Sequence, residues 1–430
     1  MPEHLATGIG MNDAVEEPPL AVVISDIHIG ERYGCITGNP AVPGDYIRLN
    51  DSDGDGPYVR PEFMSFLEYC LGLKQQYGQI KYLVILGDMW DLAMNNQEDS
   101  FEQSMDFFQQ LNALDEGMGL GDLFQNIIYI PGNHDHHLWE MLQERYWVTG
   151  RIEQGLPPLT MPRTLSLSFD ITTGDILPEN AGSELGIPTY NIVSSLLGLD
   201  DDSPVYVAYP NVYFRGLEGG HILLTHGHLF EPDWNMVTIM FGDLMVQQGI
   251  PLTIRNIEMF NAITTEWHSY SLGQTPPYEF WETVYDHSFD NLHPSQWEQT
   301  FLQILDEHIT VNDVRGDPET PSRRYHSIEA LESERGLVEY YLAQAQAECL
   351  SEGSWITALI YGHTHIPAFN EVFVRHHGEE VHPLWVHNTG GWVDIDAERY
   401  HLPAPMLIYG DGSVRALTLK NGVFSMGFAQ

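Results

Sequence analysis

The chain is poor in lysine and in basic residues generally. Lys74, Lys81 and Lys420 are its only lysines among 430 residues, and 18 Lys and Arg residues stand against 61 Asp and Glu residues, for a formal net charge of -43. A surface of this charge repels the phosphates of nucleic acids and anionic membranes. We therefore do not expect duplex nucleic acid as a partner, and the composition suggests a saline habitat. A bound metal ion could still make one pocket locally positive.

Cysteine is also scarce, and the sequence lacks long apolar runs. Cys35, Cys70 and Cys349 are far apart and form no CxxC pair, which argues against a disulfide framework and against a thiolate zinc site. No apolar run approaches the roughly 20 residues that span a bilayer. Residues 1–19 are polar and acidic, without the basic and apolar segments of a secretory signal. We expect a soluble, cytoplasmic protein with a flexible N-terminus at 1–19.

What the sequence does contain is an alternation of buried-strand and helix patterns. Apolar runs at 20–24, 82–86 and 127–130 have the length of strands. Pro61 opens an amphipathic helical pattern between the first two runs, and a second helical pattern at 101–111 lies between the second and the third. This order is typical of βαβ units and predicts a parallel sheet.

The rest of the chain predicts further strands and one insertion. Between 150 and 204 the periodicity weakens, which indicates loops and short elements. The stretch 233–346 is largely helical and rich in tryptophan, and we interpret it as an insertion or cap. Further strands are expected at 205–209, 212–215, 221–224, 356–361, 372–374, 384–387, 406–409 and 414–419.

Residues of the types that can bind metals stand immediately after five of these predicted strands. They are Asp26 and His28, then Asp88, then Asn133 and His134, then His226, and then His363 and His365. Alternate residues at a strand end point to the same side, so both members of a D-x-H or H-x-H pair can converge on one cluster. Imidazole and carboxylate ligands suit Zn, Fe, Mn or Co rather than Cu(I). A carboxylate such as Asp88 can bridge two ions roughly 3.5–4 Å apart, the spacing of two-metal phosphoryl-transfer sites.

The ordered motifs resemble the signature of the calcineurin-like metallophosphoesterase family. They are Asp26-x-His28, Gly87-Asp88-x-x-Asp91, Gly132-Asn133-His134-Asp135, His226 and Gly362-His363-x-His365. One such motif is a weak signal, whereas five in the family's order are specific. The resemblance implies an α/β fold, the four-layer α/β/β/α sandwich of this family, over residues 20–430. That domain would carry an Asp-rich loop at 31–60 and the helical insertion at about 233–346.

The resemblance also implies a role for each motif residue. The implied ligands are Asp26, His28 and His365 for a first divalent ion, Asn133, His226 and His363 for a second, and Asp88 as the bridge between them. His134 would be the general acid or phosphate contact, oriented by Asp135. The implied reaction is hydrolysis of phosphomonoester, phosphodiester or pyrophosphate bonds by a metal-bridging hydroxide, with two Mn, Fe, Zn or Mg ions as cofactors.

The roles of some residues next to the motifs are less clearly defined by the sequence. Asp91 either orients His28 or caps the next helix. His228 is expected to be a polar loop residue rather than a ligand. The remaining histidines are expected to be ordinary surface or core residues, with His136 the first exception to consider because it follows the Asn-His-Asp motif.

A second metal-binding pattern lies outside the family signature. The spacing of a calcium-binding EF-hand loop, with carboxylates at positions 1, 3, 5 and 12 and Gly at position 6, is met by Asp51, Asp53, Asp55 and Glu62. The preceding segment, 43–50, does not have a helical pattern, and two prolines are atypical of the motif. Two interpretations therefore stand, a calcium site and a solvated acidic loop.

The identity of the substrate depends on weaker features. The segments 87–92, 225–228 and 388–393 resemble the branch of the family that contains UDP-diacylglucosamine hydrolases, although members of that branch can carry Arg where His134 stands here. We expect a small-molecule phosphoester. One alternative is a nuclease, which the negative charge and the lack of a basic stripe disfavour. The other is a catalytically silent interaction scaffold on the same fold, which would require lost ligands.

Overall fold

The computed structural model describes most of the chain. The described residues are 17–49, 56–114, 117–177, 191–200, 205–216, 220–230, 233–235, 237–238, 244–245, 247–250, 254–272, 354–365, 367–376, 380–393 and 403–429. Within them lie two large β-sheets, one small β-sheet and the helices that pack around them.

The described elements include the predicted strands and helices together with short elements that were not predicted. The described strands are β1 (Pro19–Ile24), β2 (Ile36–Thr37), β3 (Ile47–Arg48), β4 (Tyr58–Val59), β5 (Ile80–Leu86), β6 (Phe124–Ile130), β7 (Leu167–Asp170), β8 (Val205–Val207), β9 (Asn211–Arg215), β10 (Gly220–Thr225), β11 (Trp355–Tyr361), β12 (Ala368–His376), β13 (Glu380–Asn388), β14 (Met406–Tyr409), β15 (Val414–Lys420) and β16 (Val423–Ala429). The described α-helices are α1 (Pro61–Tyr77), α2 (Gln97–Ala113), α3 (Leu120–Leu123), α4 (His136–Glu144), α5 (Gly150–Glu153), α6 (Asn191–Leu196) and α7 (Ile254–Glu266). Two π-helical segments, Arg145–Thr149 and Trp267–Leu272, continue α4 and α7.

The first sheet has the strand order β16-β15-β14-β1-β5-β6-β8. β1, β5, β6 and β8 run parallel to one another, and β14 joins β1 in the antiparallel direction. The parallel strands are continuous apolar runs because both faces of the sheet are covered. The predicted strands at 20–24, 82–86 and 127–130 and the parallel sheet are therefore confirmed.

The second sheet has the strand order β12-β13-β11-β10-β9-β7. Its central strands β10, β11 and β13 are parallel, so β10 and β11 end at the same edge. β9 and β12 join this group in the antiparallel direction.

The core has two layers, one on each face of the first sheet. Val84 and Ile128 of the first sheet pack with Ile360 of the second sheet in the layer between the two sheets. On the other face, Phe66 of α1 and Trp139 of α4 belong to the layer between the sheet and the helices. The predicted α/β class and the sandwich of two sheets are confirmed.

The helix α1 shows how local sequence signals set an element. Pro61 stands at its first turn, where the missing N–H costs no hydrogen bond. The helix ends at Gly78, whose φ of 87° is a conformation that residues with a Cβ rarely adopt. Its buried positions, such as Phe63, Phe66 and Cys70, recur at helical spacing and face the first sheet.

The stretch 31–60 contains a small sheet of β2, β4 and β3. Of the predicted calcium ligands, Asp51, Asp53 and Asp55 lie outside the described residues. Glu62 is described, and it stands in the first turn of α1. The calcium site therefore stays a prediction.

The insertion predicted at 233–346 is described only in its first part, where α7 and the π-helical turn Trp267–Leu272 agree with a helical pattern. The division of the chain into an N-terminal segment, a domain and an insertion stays a prediction. Within the described ranges, we find no helix with the length and apolar content needed to cross a membrane.

Candidate metal centre

The strand ends that carry the predicted ligands meet at one edge of the sandwich. Loops after β1, β5 and β6 of the first sheet lie against loops after β10 and β11 of the second. The His28 N–H donates to Asp88 O at 2.9 Å, and the Gly362 N–H donates to His226 O at 2.8 Å. Because the carboxyl ends of parallel strands share an edge, both sheets deliver their functional groups to one place.

The backbone of these loops is strained at the predicted ligands. Among the residues that the structure describes, the non-glycine residues with positive φ are Asp26 (54°), His28 (50°), Asp88 (49°), His363 (68°), His365 (58°) and Asn421 (53°). Residues with a Cβ rarely adopt this region, and such strain concentrates at functional sites. All but Asn421 are predicted ligands, so the strained backbone marks the same residues as the motifs do.

Two motif glycines are required by the close approach of these loops. A Cβ on Gly87 would lie 2.6 Å from Cγ of His226 and 2.7 Å from Cα of Gly132. A Cβ on Gly132 would lie 2.8 Å from Nε2 of His226 and 2.7 Å from the backbone nitrogen of Asp88. The loops after β5 and β6 can therefore pass the His226 imidazole only where no side chain is present.

The first group of converging donor atoms comprises Asp26, His28 and His365. The Nε2 atoms of His28 and His365 are 3.2 Å apart, and His365 Nε2 is 3.2 Å from Asp26 Oδ1. The other ring nitrogen of His28, Nδ1, donates to Asp91 Oδ2 at 2.9 Å. That hydrogen bond leaves the lone pair of His28 on Nε2, the nitrogen within the group.

The second group comprises Asp88, His226 and His363, whose ligand atoms lie within 4.8 Å of one another. His226 Nε2 is 3.1 Å from Asp88 Oδ2 and 2.9 Å from Asn133 Oδ1. His226 Nδ1 donates to the Leu86 carbonyl at 2.7 Å, which leaves the lone pair on Nε2. Asn133 thereby joins this group through its amide oxygen.

Asp88 lies between the two groups. Its Oδ2 is 3.1 Å from His226 Nε2 and 3.8 Å from His28 Nε2. Its Oδ1 accepts the His134 N–H at 2.8 Å, which fixes the orientation of the carboxylate. This position between the groups is the one that the predicted bridge requires.

The donor set fits divalent metal ions. Around Nε2 of the neutral His226, a nitrogen lone pair, a carboxylate oxygen of Asp88 and an amide oxygen of Asn133 converge, and in that state none of these atoms carries a proton for the others. Acceptors this close repel one another unless a cation lies among them. The Nε2 atoms of His28 and His365 are crowded in the same way. Imidazole, carboxylate and amide ligands of this kind suit Zn, Fe, Mn or Co.

The carboxylate of Asp26 is held in place by the backbone of β11's loop. Both of its oxygens accept the His363 N–H, each at 3.0 Å. The Ser25 hydroxyl donates to the same carboxylate, and its Oγ is 2.5 Å from Thr389 Oγ1. This predicted ligand is therefore positioned by groups from both sheets.

The charges in the site keep both carboxylates that are predicted to bind metal, Asp26 and Asp88, ionised. Burial alone would raise the pKa of Asp88, but the charges of His226 and His134 outweigh it and hold the pKa well below its ordinary value. Burial opposes ionisation of Asp26 in the same way, and the neighbouring His365 lowers its pKa. Burial lowers the pKa of His226, whereas Asp88 raises it more, to about 9, so without a metal ion a proton on Nε2 takes the place of the cation. The site therefore stabilises negative oxygens and positive charge side by side.

Asp91 supports two histidines at once. Its Oδ2 lies 2.9 Å from His28 Nδ1 and 3.2 Å from His134 Nδ1. Burial lowers the pKa of His134, but the charges of Asp91 and Asp88 outweigh burial and raise it to about 9. Of the two roles left open by the sequence, Asp91 takes the first. The next helix, α2, is capped instead by Asn96, whose side chain accepts the Glu98 N–H at 2.9 Å.

Asp135 has a different place from the one predicted. Its Oδ2 accepts the Met89 N–H at 2.8 Å, and its Oδ1 accepts the Gly132 N–H at 2.6 Å. The expected orienting contact with His134 is therefore made by Asp91 instead. Asp135 stands at the start of α4, and its carboxylate connects the loops after β5 and β6 by accepting hydrogen bonds from the backbone of both. Burial and the charge of Asp88 raise its pKa to about 6.

Two other histidines are more involved than predicted. His228 is buried, and its ring centroid lies 5.6 Å from that of His226. Its Nε2 is 3.7 Å from Glu258 Oε2. His136 is also buried, and its Nδ1 donates to Glu266 Oε2 at 3.2 Å. Both contacts connect the centre to α7, which lies in the predicted insertion.

Sequence reasoning missed residues of the predicted insertion that reach the centre. The His268 ring centroid lies 4.8 Å from that of His134. The Trp234 ring centroid lies 4.9 Å from that of His268 and 6.3 Å from that of His363. No spacing or motif pointed to these positions, since they lie far from the motifs along the chain. The only available signal was the abundance of tryptophan in the insertion.

The sequence profile of the calcineurin-like phosphoesterase family matches residues 20–367, a range that includes every predicted metal ligand. The chain therefore belongs to this family, and the resemblance drawn from the motifs is confirmed. Family membership, together with the two converging groups of His and Asp, supports a metal-dependent phosphoesterase with a divalent metal centre.

Solved structures that are similar to this chain include a dimetal phosphatase from Danio rerio. The two share 12% sequence identity, and the comparison covers 93% of this chain and 95% of that one. The TM-score is 0.31, so this likeness adds nothing to the argument about the site. No curated protein matches the chain.

Proposed function

We propose that the protein is a dinuclear-metal phosphoesterase that hydrolyses small-molecule phosphoesters. The observation that carries this proposal is the convergence of donor atoms into two adjacent groups, with the Asp88 carboxylate between them. Membership of the calcineurin-like phosphoesterase family supports the reaction class. The preference for small molecules is argued from the charge of the chain.

The chain's contribution to metal binding is to hold the ligands in position. The proposed ligands are Asp26, His28 and His365 at one site, Asn133, His226 and His363 at the other, and Asp88 at both. When bound, divalent ions supply charge neutralisation and Lewis-acid activation of water. Backbone N–H groups of His363 and His134 fix the two ligand carboxylates, so little rearrangement is needed on binding.

His134 is the proposed proton donor and phosphate contact. Its Nδ1 lies against the Asp91 carboxylate, which stabilises the protonated imidazole. A protonated histidine beside a phosphoryl group can stabilise an equatorial oxygen and protonate the departing alkoxide. Asp91 acts through His134 and His28, and it is therefore a positioning residue.

The local charge favours a compact anion although the whole chain is acidic. The proposed ligand set contains two carboxylates, Asp26 and Asp88, and two divalent ions would leave an excess of positive charge at the centre. The formal net charge of -43 repels an anion that extends over the rest of the surface. A small phosphoester would meet the centre and little of the surface, whereas a nucleic acid would meet both.

The test is a substrate panel with metal reconstitution. The metal-free protein is loaded with Mn, Zn, Fe or Mg and assayed with p-nitrophenyl phosphate, bis-p-nitrophenyl phosphate, nucleotides and UDP-sugars. We expect about two ions per chain and turnover of at least one substrate. Asp88→Asn should lower the metal content at both sites and reduce kcat by at least ~100-fold, because both ions lose a charged ligand.

The matched control is Asp106→Asn, the same substitution at an exposed position of α2. It should leave metal content and kcat unchanged. If the loaded protein hydrolyses nothing in any combination, the catalytic proposal fails and the scaffold alternative takes its place. If Asp88→Asn retains full activity, the assignment of the bridge is wrong.

A further inference from the structure

Within the described part of the predicted insertion, residues 266–269 contact the segment that carries Asn133 and His134. Glu266 is the last residue of α7, and the chain then enters the π-helical turn Trp267–Leu272. Short π-helical turns are rare and frequently occur at functional sites. We name Glu266, His268 and Ser269 the cap clamp, because their side chains all contact the segment 133–137, which comprises the loop with Asn133 and His134 and the first residues of α4.

Glu266 and Ser269 hold the start of α4. Glu266 Oε1 accepts His137 Nδ1–H at 2.6 Å, and its Oε2 accepts His136 Nδ1–H at 3.2 Å. Ser269 Oγ accepts the His137 N–H at 2.8 Å. The first backbone N–H groups of a helix have no partner within the helix, so Ser269 satisfies one of them. These bonds attach α7 to the helix that begins directly after the motif.

His268 contacts the motif itself. Its Nδ1 donates to the backbone carbonyl of Asn133 at 3.1 Å. Its ring stands perpendicular to that of His134, at 84° with 4.8 Å between centroids, and perpendicular to that of Trp234 at 4.9 Å. The side chain is 4% exposed. One buried imidazole therefore contacts both a proposed metal ligand and the proposed proton donor.

The loop at 132–134 is thus held from two sides by different parts of the chain. On the side of the sheets, Asp135 accepts the Gly132 N–H and Asp88 accepts the His134 N–H. On the side of the insertion, the carbonyl of Asn133 accepts from His268. A carbonyl that loses a buried donor is destabilised, and the peptide would have to rotate to find another.

We propose that His268 is a positioning residue of this centre: it holds the Asn133 carbonyl and the His134 ring in place. This inference rests on the proposed function, since it assigns His268 a role at the same site. Through the cap clamp, the position of Asn133 and His134 depends on the docking of α7. The insertion is then part of the centre and does more than cover it.

The expected loss of activity on substituting His268 is moderate, because His268 contacts a proposed metal ligand and is not proposed to bind the metal itself. Groups that orient a metal ligand without binding the metal typically change metal affinity or activity by about 10–100-fold when removed. A misplacement of about 1 Å can cost ~100-fold in rate. The loss should appear in kcat rather than in KM for a small substrate, because His268 acts through Asn133 and His134.

The test uses the full-length protein and two substitutions of opposite design. His268→Phe keeps an aromatic ring against His134 and removes the Nδ1 donor. His268→Asn removes the ring and places an amide N–H near the position of Nδ1. Mn²⁺ binding to the metal-free protein is measured by calorimetry, kcat and KM are measured with p-nitrophenyl phosphate, and melting curves report folding.

We expect His268→Phe to weaken one of the two Mn²⁺ sites by ~10-fold and to lower kcat by ~10–100-fold, with KM changed by less than ~3-fold. His268→Asn should recover most of the metal affinity and part of kcat. Ile263→Ala is the control, at a position of α7 that is 77% exposed, and it should match the wild type.

Two results would overturn the inference. One is a His268→Phe variant within twofold of the wild type in both metal affinity and kcat. The other is a His268→Asn variant as impaired in metal affinity as His268→Phe. If His268→Phe does not fold, Ser269→Ala replaces it, because it removes only the acceptor of the His137 N–H. It should lower kcat by ~3–10-fold, and an unchanged kcat refutes the cap clamp.

The two proposals fail in different ways. If the wild type binds metals but hydrolyses nothing, the proposed function fails, and weaker Mn²⁺ binding in His268→Phe would still support the positioning of Asn133. If the wild type is active and His268→Phe matches it, only the present inference fails.

Discussion

Several residues of the candidate centre have a positive φ, a backbone conformation that is sterically unfavourable for residues with a Cβ. Asp26, His28, Asp88, His363 and His365 all have positive φ. Such a conformation costs on the order of 1–3 kcal/mol for a residue with a Cβ, and it persists only where the surroundings determine it. Glycine would remove this strain but would also remove a donor atom. The strain is therefore best explained by the convergence of the side chains.

The first prediction concerns Asp91 and the pH dependence of turnover. Asp91 contributes to the pKa of His134, which burial lowers and the two carboxylates together raise to about 9. Below that pH His134 is protonated, and above it the proton is lost. In Asp91→Asn the supporting charge is gone, so the pKa of His134 falls and the alkaline limb of the kcat profile should move to lower pH. The kcat at pH 7.5 should also fall by ~10–100-fold.

The measurement is kcat for p-nitrophenyl phosphate between pH 6 and 10, with saturating metal. Asp106→Asn on the exposed face of α2 is again the control and should keep the wild-type profile. An alkaline limb at the same pH in Asp91→Asn and in the wild type would mean that Asp91 does not act through His134.

The sequence predicted which residues converge but not all of their contacts. Asp26, His28 and Asp88 could be identified because a strand end and a motif together determine both position and direction. The contact of Asp135 could not, because its carboxylate faces the backbone of Met89 and Gly132, and that direction depends on where α4 begins. Residue type alone does not give the orientation of a side chain at a helix start.

At the scale of elements, α7 contributes a buried carboxyl group next to the centre. Glu258 is 1% exposed, and its Oε2 accepts the Tyr209 hydroxyl at 2.9 Å. The neighbouring His228 has its pKa lowered by burial and by the charges of His226 and His363, so it brings no positive charge to pair with Glu258. The interface between α7 and the sheets therefore contains an acidic group without a full counter-charge.

The second prediction is that Glu258 makes stability depend on pH. Burial is the largest influence, and it raises the pKa of Glu258 to about 8 against the lowering effects of Tyr209, His136 and His226. The unfolded chain releases this proton near the ordinary value of 4.5. Between these two values the folded state binds more protons, so the stability falls as pH rises from about 4.5 to about 8. Glu258→Gln removes this titration and keeps an acceptor for Tyr209.

Melting curves at pH 5, 6.5 and 8 with saturating metal check this prediction. The Tm of Glu258→Gln should exceed that of the wild type by about 2–4 °C at pH 8, and the difference should shrink towards pH 5. Glu102→Gln, at an exposed position of α2, should show no such dependence. A Glu258→Gln variant that is less stable than the wild type at pH 8 would contradict the sign.

The elements that could be predicted are those in which the buried residues form a continuous apolar run or recur at helical spacing. β1, β5 and β6 are apolar along their length, and α1 has one apolar face that begins after Pro61. The two-residue strands β2, β3 and β4 were not predicted, because two residues are too few for any periodicity. α4 was not predicted either. Its first residues are histidines that are held by the cap clamp, and such tertiary contacts are invisible to local patterns.

At the scale of the whole molecule, the centre needs both sheets and sits in a strongly acidic chain. Donor atoms after β1, β5 and β6 meet donor atoms after β10 and β11, so the centre forms only when the sheets pack together. The charge of -43 acts over a longer range than any of these contacts. An anionic substrate therefore meets repulsion during approach and attraction only near the centre.

The last prediction follows from this difference in range between the repulsion by the acidic surface and the attraction at the centre. Salt shortens the Debye length from ~30 Å at 0.01 M to ~3 Å at 1 M, so it screens the distant surface more than the contacts inside the centre. With p-nitrophenyl phosphate, a dianion at pH 8, kcat/KM should rise by up to ~10-fold over this range while kcat stays constant. The monoanion bis-p-nitrophenyl phosphate should show a smaller rise, and KCl should reproduce the NaCl curve. If kcat/KM falls instead, the positive centre governs the approach, and the argument from net charge against nucleic acid substrates is lost.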